Sequence, residues 1–157
     1  MKEPTLAAEI MVKKLVTLSP QMDVFDAIDL LLRQRISGAP VIDKNRLFVG
    51  VFSEKCCMRV LVDAAYDQLP STEVVAYMDA DAQTITEEAD LLTIAQIFLN
   101  TDSRRLPVLR DGQLVGQISR RDLLSAAHRL NAVTRSQDSA LLYLSSLVDR
   151  QEAPIAR

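Results

Sequence analysis

The chain contains no tryptophan, and aromatic residues make up only 4% of it. That poverty argues against a single-strand nucleic-acid platform, which depends on stacking bases against aromatic rings. Histidine occurs once, at His128, with no cysteine or carboxylate at ligand spacing beside it, so a zinc site is not expected. The same scarcity removes any readable Ser-His-Asp arrangement, and no nucleophile-and-base set stands elsewhere. Only two cysteines are present, Cys56 and Cys57, and they are adjacent. They form neither a secreted disulfide framework nor a Cys-x-x-Cys redox motif, and inert thiols within a helix are expected. No apolar run approaches the roughly 18 residues of a membrane helix. Glu3 and Glu9 interrupt the stretch a signal peptide would need. The net charge of −3 carries no bulk attraction for nucleic acid. The expectation is a reduced, cytoplasmic protein without membrane or nucleic-acid partners.

What the chain does have is internal repetition. A shift of 67 positions lays Met11 on Met78, Thr17 on Thr84, Asp23 on Asp90, Leu32 on Leu99 and Pro40-Val41 on Pro107-Val108. One extra residue in the first copy then shortens the shift to 66, and Gly50 meets Gly116 and Ser53 meets Ser119. A period of this length is one supersecondary unit per copy, and two such units bury apolar faces against each other. With 48% hydrophobic residues, the copies read as halves of one body. Residues 6–68 and 73–130 are the two repeats, and 131–157 form a tail.

Each copy reads in the same order. A helical lead-in (6–11 or 73–78) precedes a short extended piece. Asp23 and Asp90 then open helices whose apolar positions recur at helical spacing: Val24, Ala27, Ile28 and Leu31 in one, Leu91, Ile94, Ala95 and Phe98 in the other. Two strands follow, joined at polar tips such as Asp111-Gly112. A final helix starts at Ser53 or Ser119. The expected fold is α/β in the α+β sense, two β-α-β-β-α units. The tail carries Leu141, Leu144 and Val148 at helical spacing, so one more helix is expected over 138–149.

The sharpest constellation is Gly116-Gln117-Ile118-Ser119-Arg120-Arg121-Asp122, a strand running into a helix. Gly116 permits close backbone approach, and Ser119 with the free amides of the helix start suits an anion. Asp122 offers a carboxylate to the hydroxyls of a ribose, and Arg120 and Arg121 offer charge to phosphates. Ser119-x-x-Asp122 equally reads as a capping box, which needs no ligand. Both readings stand, since one carboxylate can cap when the site is empty and accept hydroxyls when it is filled.

The duplicated unit, the turns Ser37-Gly38-Ala39-Pro40-Val41 and Arg105-Leu106-Pro107-Val108, and the Gly-x-x-Ser-x-x-Asp step resemble a tandem cystathionine-β-synthase (CBS) domain pair, or Bateman module. The resemblance covers roughly residues 6–130. It implies two repeats packed sheet against sheet with pseudo-twofold symmetry, and clefts at the seam for adenine nucleotides or adenosyl ligands. It implies ribose binding by Asp122 with Ser119 at the helix start. The cleft would be completed from the other copy by Val16 and Thr17 and by Ile36, Ser37 and Ala39. In the first copy the matching step, Gly50-Val51-Phe52-Ser53-Glu54-Lys55-Cys56, puts Cys56 where the family has Asp. A neutral thiol is a weak acceptor, and Glu54 stands where the other copy has Arg120. Arg104 and Arg105 read as a solvated edge, or as facing a phosphate in that weaker cleft.

The resemblance thus implies a regulatory, non-catalytic module. Its ligand is an adenine nucleotide or adenosyl compound, no cofactor is required, and Mg²⁺ is undecided. The last helix of each copy, 53–67 and 120–130, and the tail's Leu141, Leu144 and Val148 carry more apolar surface than two repeats cover. A homodimer through these helices is expected, or a monomer if the tail covers them, and an unidentified effector protein is a further expected partner. The alternative is a structural dimerisation or scaffold module whose clefts stay empty.

Overall fold

The computed structural model describes residues 3–135, so the helix expected over 138–149 lies outside the described residues. The elements follow the repeat: α1 (Ala7–Ile10), α2 (Val24–Gln34), β1 (Gly38–Ile42), β2 (Phe48–Ser53) and α3 (Glu54–Ala65), then a 3-10 turn (Val74–Ala76), β3 (Ile85–Thr86), α4 (Leu91–Asn100), β4 (Arg105–Arg110), β5 (Gln113–Ser119) and α5 (Arg120–Arg135). Among the described residues, no helix is long and apolar enough to cross a membrane.

Both central helices start where a carboxylate caps them. Asp23 accepts from the Phe25 and Asp26 amides, and Asp90 from the Thr93 amide at 2.8 Å. Such a cap satisfies amides that have no partner inside the helix. α2 ends at Arg35, whose φ of 53° is the left-handed stop that closes many helices.

β1 and β2 pair antiparallel, as do β4 and β5, and β3 lies parallel to β4. The first copy has a single bridge, Leu18 to Val41, where the second has β3. Each hairpin shifts register at the same place, between Val41 and Ile42 and between Val108 and Leu109. The residue that shortens the sequence offset therefore lies at the tip. Asp111 and Gly112, with φ of 51° and 78°, make a two-residue turn with both angles positive. The first tip is longer and is held by Asp43, whose carboxylate accepts from the Asn45 and Leu47 amides.

Each copy builds its own core. Leu18, Val24, Val41, Phe52 and Val60 form the first, and Ile85, Ile94, Leu106, Val108 and Ile118 the second. Each fully buried side chain of this size contributes roughly 1.5–3 kcal/mol. The fold is α+β, two repeats with a seam between them.

The seam holds an exchange that the order of the sequence conceals. Each lead-in packs on the other copy, not at the head of its own. Ala7 and Ala8 donate to the carbonyls of Ala89 and Glu87, while Val24 donates to the Thr72 carbonyl and Val74 to that of Met22. Val12 pairs with Gln117, and its repeat equivalent Asp79 pairs with Val51. Leu47 pairs with Gln113, its own equivalent, so this bridge lies on the pseudo-twofold axis.

Candidate functional site

In the second copy, β5 delivers Ser119 into the start of α5. The Ser119 amide donates to Asp122 Oδ2 at 2.8 Å, and the Asp122 amide donates to Ser119 Oγ at 3.1 Å. The box is closed in both directions, which satisfies two amides at the helix start. Oδ1 of Asp122 has no hydrogen-bond partner among the described residues and remains free to accept. Arg120 lies over the Phe98 ring, 5.9 Å from its centroid, a cation–π distance. Arg121 is exposed, as is Arg104, and register pairs Arg105 with Ser119. Arg120 and Arg121 thus lie within the step, Arg105 stands opposite it in register, and Arg104 precedes Arg105.

The first copy turns the same step inward. Cys56 Sγ lies 3.5 Å from Ser53 Oγ and donates to the Val51 carbonyl at 3.7 Å. A group that donates to its own strand offers little to a ribose. Ser53 makes no side-chain cap. Next to it, Cys57 is buried, and burial, with Cys56 and Glu54 adding to it, pushes its thiol up to about 11.

The other expected site residues lie on the first copy and on the strap that joins the two. Val16 is half-buried and Thr17 exposed, within residues 13–17. That strap leaves the second copy where Val12 and Gln117 exchange backbone bonds of 2.9 and 3.0 Å. It enters the first copy where Leu18 donates to the Pro40 carbonyl and accepts from Ile42. Six residues span at most about 20 Å, so one end of the strap lies two residues from Ser119 and the other beside Ala39. Ile36 and Ser37 are half-buried and Ala39 is buried. Their turn is bonded to its own copy's step, the Ser37 carbonyl accepting from Glu54 at 2.9 Å. Ser119 and Asp122 are thus joined directly, whereas Val16, Thr17, Ile36, Ser37 and Ala39 are tied to them through the strap. The symmetric strap, 80–84, runs from Val51 to Val108 and links the Ser53–Cys56 step with the turn bearing Arg104 and Arg105.

Close approach at both strap roots requires glycine. A Cβ on Gly116 would lie 2.5 Å from Met11 Sδ, and one on Gly50 would lie 2.8 Å from the Asp79 carbonyl oxygen. The sequence carried this signal in its repeated methionine and glycine, Met11 with Met78 and Gly50 with Gly116. Gly116 is expected to permit close approach, but nothing in the sequence assigns Met11 to it, or Met78 and Asp79 to Gly50.

The CBS domain family matches the chain twice, at residues 7–63 and 72–129. An uncharacterised protein of Methanocaldococcus jannaschii is 29% identical over 117 residues, which is 74% of this chain and 40% of that protein. The chloroplastic CBS domain-containing protein CBSX1 of Arabidopsis thaliana is 31% identical over 147 residues, covering 76% of this chain and 62% of that one. The chain therefore spans less than two thirds of the length of each of these two relatives. Among solved structures, CBSX2 in complex with AMP is similar at 28% identity with a TM-score of 0.71, over 80% of this chain and 97% of that one.

Proposed function

Because this chain belongs to the CBS domain family and carries that domain twice, we propose that it is a regulatory module binding an adenine nucleotide, or a related adenosyl ligand, at the seam between its copies. The observation that carries the reading is the strap of residues 13–17, bonded at one end to β5 beside Ser119 and at the other to the turn strand beside Ala39. A ligand held by Thr17 and the Ile36–Ser37–Ala39 turn on one side and by Asp122 on the other touches both copies. It then favours whichever relative arrangement it binds better, and that difference in affinity is the whole of its regulatory power. Asp122 accepts the ribose hydroxyls through Oδ1, Val16 and Ile36 supply apolar walls for the adenine, and Arg120 and Arg121 face the phosphates. The AMP complex of CBSX2 supports the ligand class.

The module is not an enzyme in this reading and requires no cofactor. Its output passes to an effector protein or to a second copy. Met58, Leu61 and Val62 of α3, each about half exposed, form the apolar face for a homodimer. Two free thiols fit a reduced compartment, the cytoplasm.

A thermal-shift series with AMP, ADP, ATP and S-adenosylmethionine, with and without Mg²⁺, tests the proposal. A ligand at a hundred times its Kd stabilises by about 2.7 kcal/mol, which moves Tm by about 5–10 °C in a chain of this size. A flat response to all of them rejects it. The scaffold reading would then stand, and one observation favours it: Ser119 and Asp122 form a reciprocal cap at the start of α5.

A further inference from the structure

The charges about the two strand-to-helix steps break the symmetry of the repeat. Arg120 and Arg121 follow Ser119, and Arg105 is the partner of Ser119 across β4 and β5, with Arg104 before it. Lys13 and Lys14 follow Val12, which exchanges backbone bonds with Gln117, two residues before Ser119. Two residues of chain reach at most about 7 Å, so three segments bring six cations to one step. Their counterparts in the repeat are Glu54, Lys55, Gly38, Ser37, Ala80 and Asp81, which hold one cation and two carboxylates. Arg35 adds a positive charge beside the first turn, and Asp102 and Asp122 offset two at the second step. The first step is left neutral and the second strongly positive, in a chain whose net charge is −3.

Among the described residues, none of the six forms a salt bridge. Lys13 is within electrostatic reach of Glu87, but that carboxylate is bonded to Arg110 through both oxygens. Arg120 is steadied by the Phe98 ring. Cations gathered without counter-charges repel one another, and an anion of several charges set among them relieves that repulsion. We infer that the site at the Ser119–Asp122 step selects its ligand by phosphate number, taking a nucleoside di- or triphosphate over a monophosphate, with Lys13 and Lys14 of the strap reading the added phosphates. The inference rests on the adenine-nucleotide reading above and gives it a ranking. It also gives the strap a part in recognition. The segment that joins the copies is drawn to the phosphate tail, so phosphate number bears on how firmly the ligand ties them together. The first step, with Glu54 and Asp81 in the matching places, repels the same tail.

Titration calorimetry of the full chain with adenosine, AMP, ADP and ATP, in EDTA and at low and high salt, tests it. ATP should bind roughly tenfold tighter than AMP, with ADP between them, since each exposed ion pair contributes up to about fivefold. The gap should narrow at high salt, which shortens the screening length from about 10 Å at 0.1 M to about 3 Å at 1 M. Lys13→Gln with Lys14→Gln should remove most of the gap, and Arg104→Gln with Arg105→Gln should narrow it independently. Lys55→Gln, at the first step, should leave it whole, and a loss of the gap there would contradict the placement. Equal affinities for AMP and ATP would overturn the inference and leave the adenine-nucleotide reading in place. So would a gap that both double variants leave whole. Tripolyphosphate binding as tightly as ATP would overturn it too, as a phosphate site in which the nucleoside has no part. No binding of any nucleotide, adenosine included, would reject the proposed function itself and this inference with it.

Discussion

At the scale of single residues, the exchange of Asp122 for Cys56 between the two strand-to-helix steps has two consequences. Asp122 both caps α5 and presents a free carboxylate oxygen, whereas Cys56 turns its thiol to the Val51 carbonyl. Two variants separate capping from binding. Ser119→Ala should cost about 1 kcal/mol of stability, as the loss of a cap does, read by urea denaturation. Asp122→Ala should cost a similar amount and also weaken adenine-nucleotide binding by about 1.5–3 kcal/mol. Equal affinity for the two variants would contradict a ligand role for the carboxylate. The thiols make a second residue-scale prediction. Cys57, with its pKa pushed up to about 11 mainly by burial, stays protonated at pH 8. Ellman's reagent should therefore modify Cys56 quickly and Cys57 slowly, and two equal rates would contradict that burial. The sign for stability follows. A raised folded pKa gives stabilisation that is present below the ordinary thiol range and lost as pH rises through about 11.

At the scale of elements, much was legible because it is local. Asp23 and Asp90 cap helices that begin one residue later, and Ser119 and Asp122 lie three residues apart. Hairpin tips and helix phases follow from the same short spacings. The exchange of lead-ins was not legible, since it joins Met11 to Gly116 and Met78 to Gly50 across the seam, and no local pattern records which copy a lead-in covers. The first extended piece was also overread. Only Leu18 bridges to the first sheet, where the repeat led one to expect a strand. The exchange predicts an asymmetry between two equivalent glycines. Gly50→Ala drives its methyl against the Asp79 backbone carbonyl, whereas Gly116→Ala meets the side chain of Met11. Each should cost about 1–3 kcal/mol in denaturant unfolding, the range for overpacking. Met11→Ala should recover part of the loss at Gly116, and Met78→Ala should recover little at Gly50. Equal recovery at both would contradict the contacts.

The second lead-in has a further tie, Tyr77 Oη donating to Asp63 at 2.9 Å on α3. The first rests on the segment held by Glu87, which accepts from Arg110 through Nε and Nη2, both at 2.6 Å. Those hydrogen bonds hold the Glu87 carboxyl below its ordinary range. A lowered folded pKa gives stabilisation that is present above the ordinary Glu range and lost as pH falls through the folded value. The stability difference between the wild type and Glu87→Gln should therefore be present at pH 7 and shrink below about pH 4. Parallel acid-unfolding curves would contradict it.

At the scale of the whole molecule, two small cores are held as one body by straps that start on one copy and end on the other. In the proposed reading such a chain responds as a unit to a ligand that bridges the seam, and the exposed Met58, Leu61 and Val62 of α3 would pass the response on. Light scattering at micromolar concentration should give twice the 17.5 kDa of one chain, and a mass near one chain would reject the homodimer. The most direct measurement is titration calorimetry with AMP on the intact chain, repeated with Asp122→Ala and Cys56→Ala. The predicted result is one site per chain that Asp122→Ala weakens at least tenfold and Cys56→Ala leaves unchanged. Binding that survives Asp122→Ala intact, or no binding heat in the wild type where the thermal-shift series is also flat, would contradict an adenine-nucleotide module at this seam.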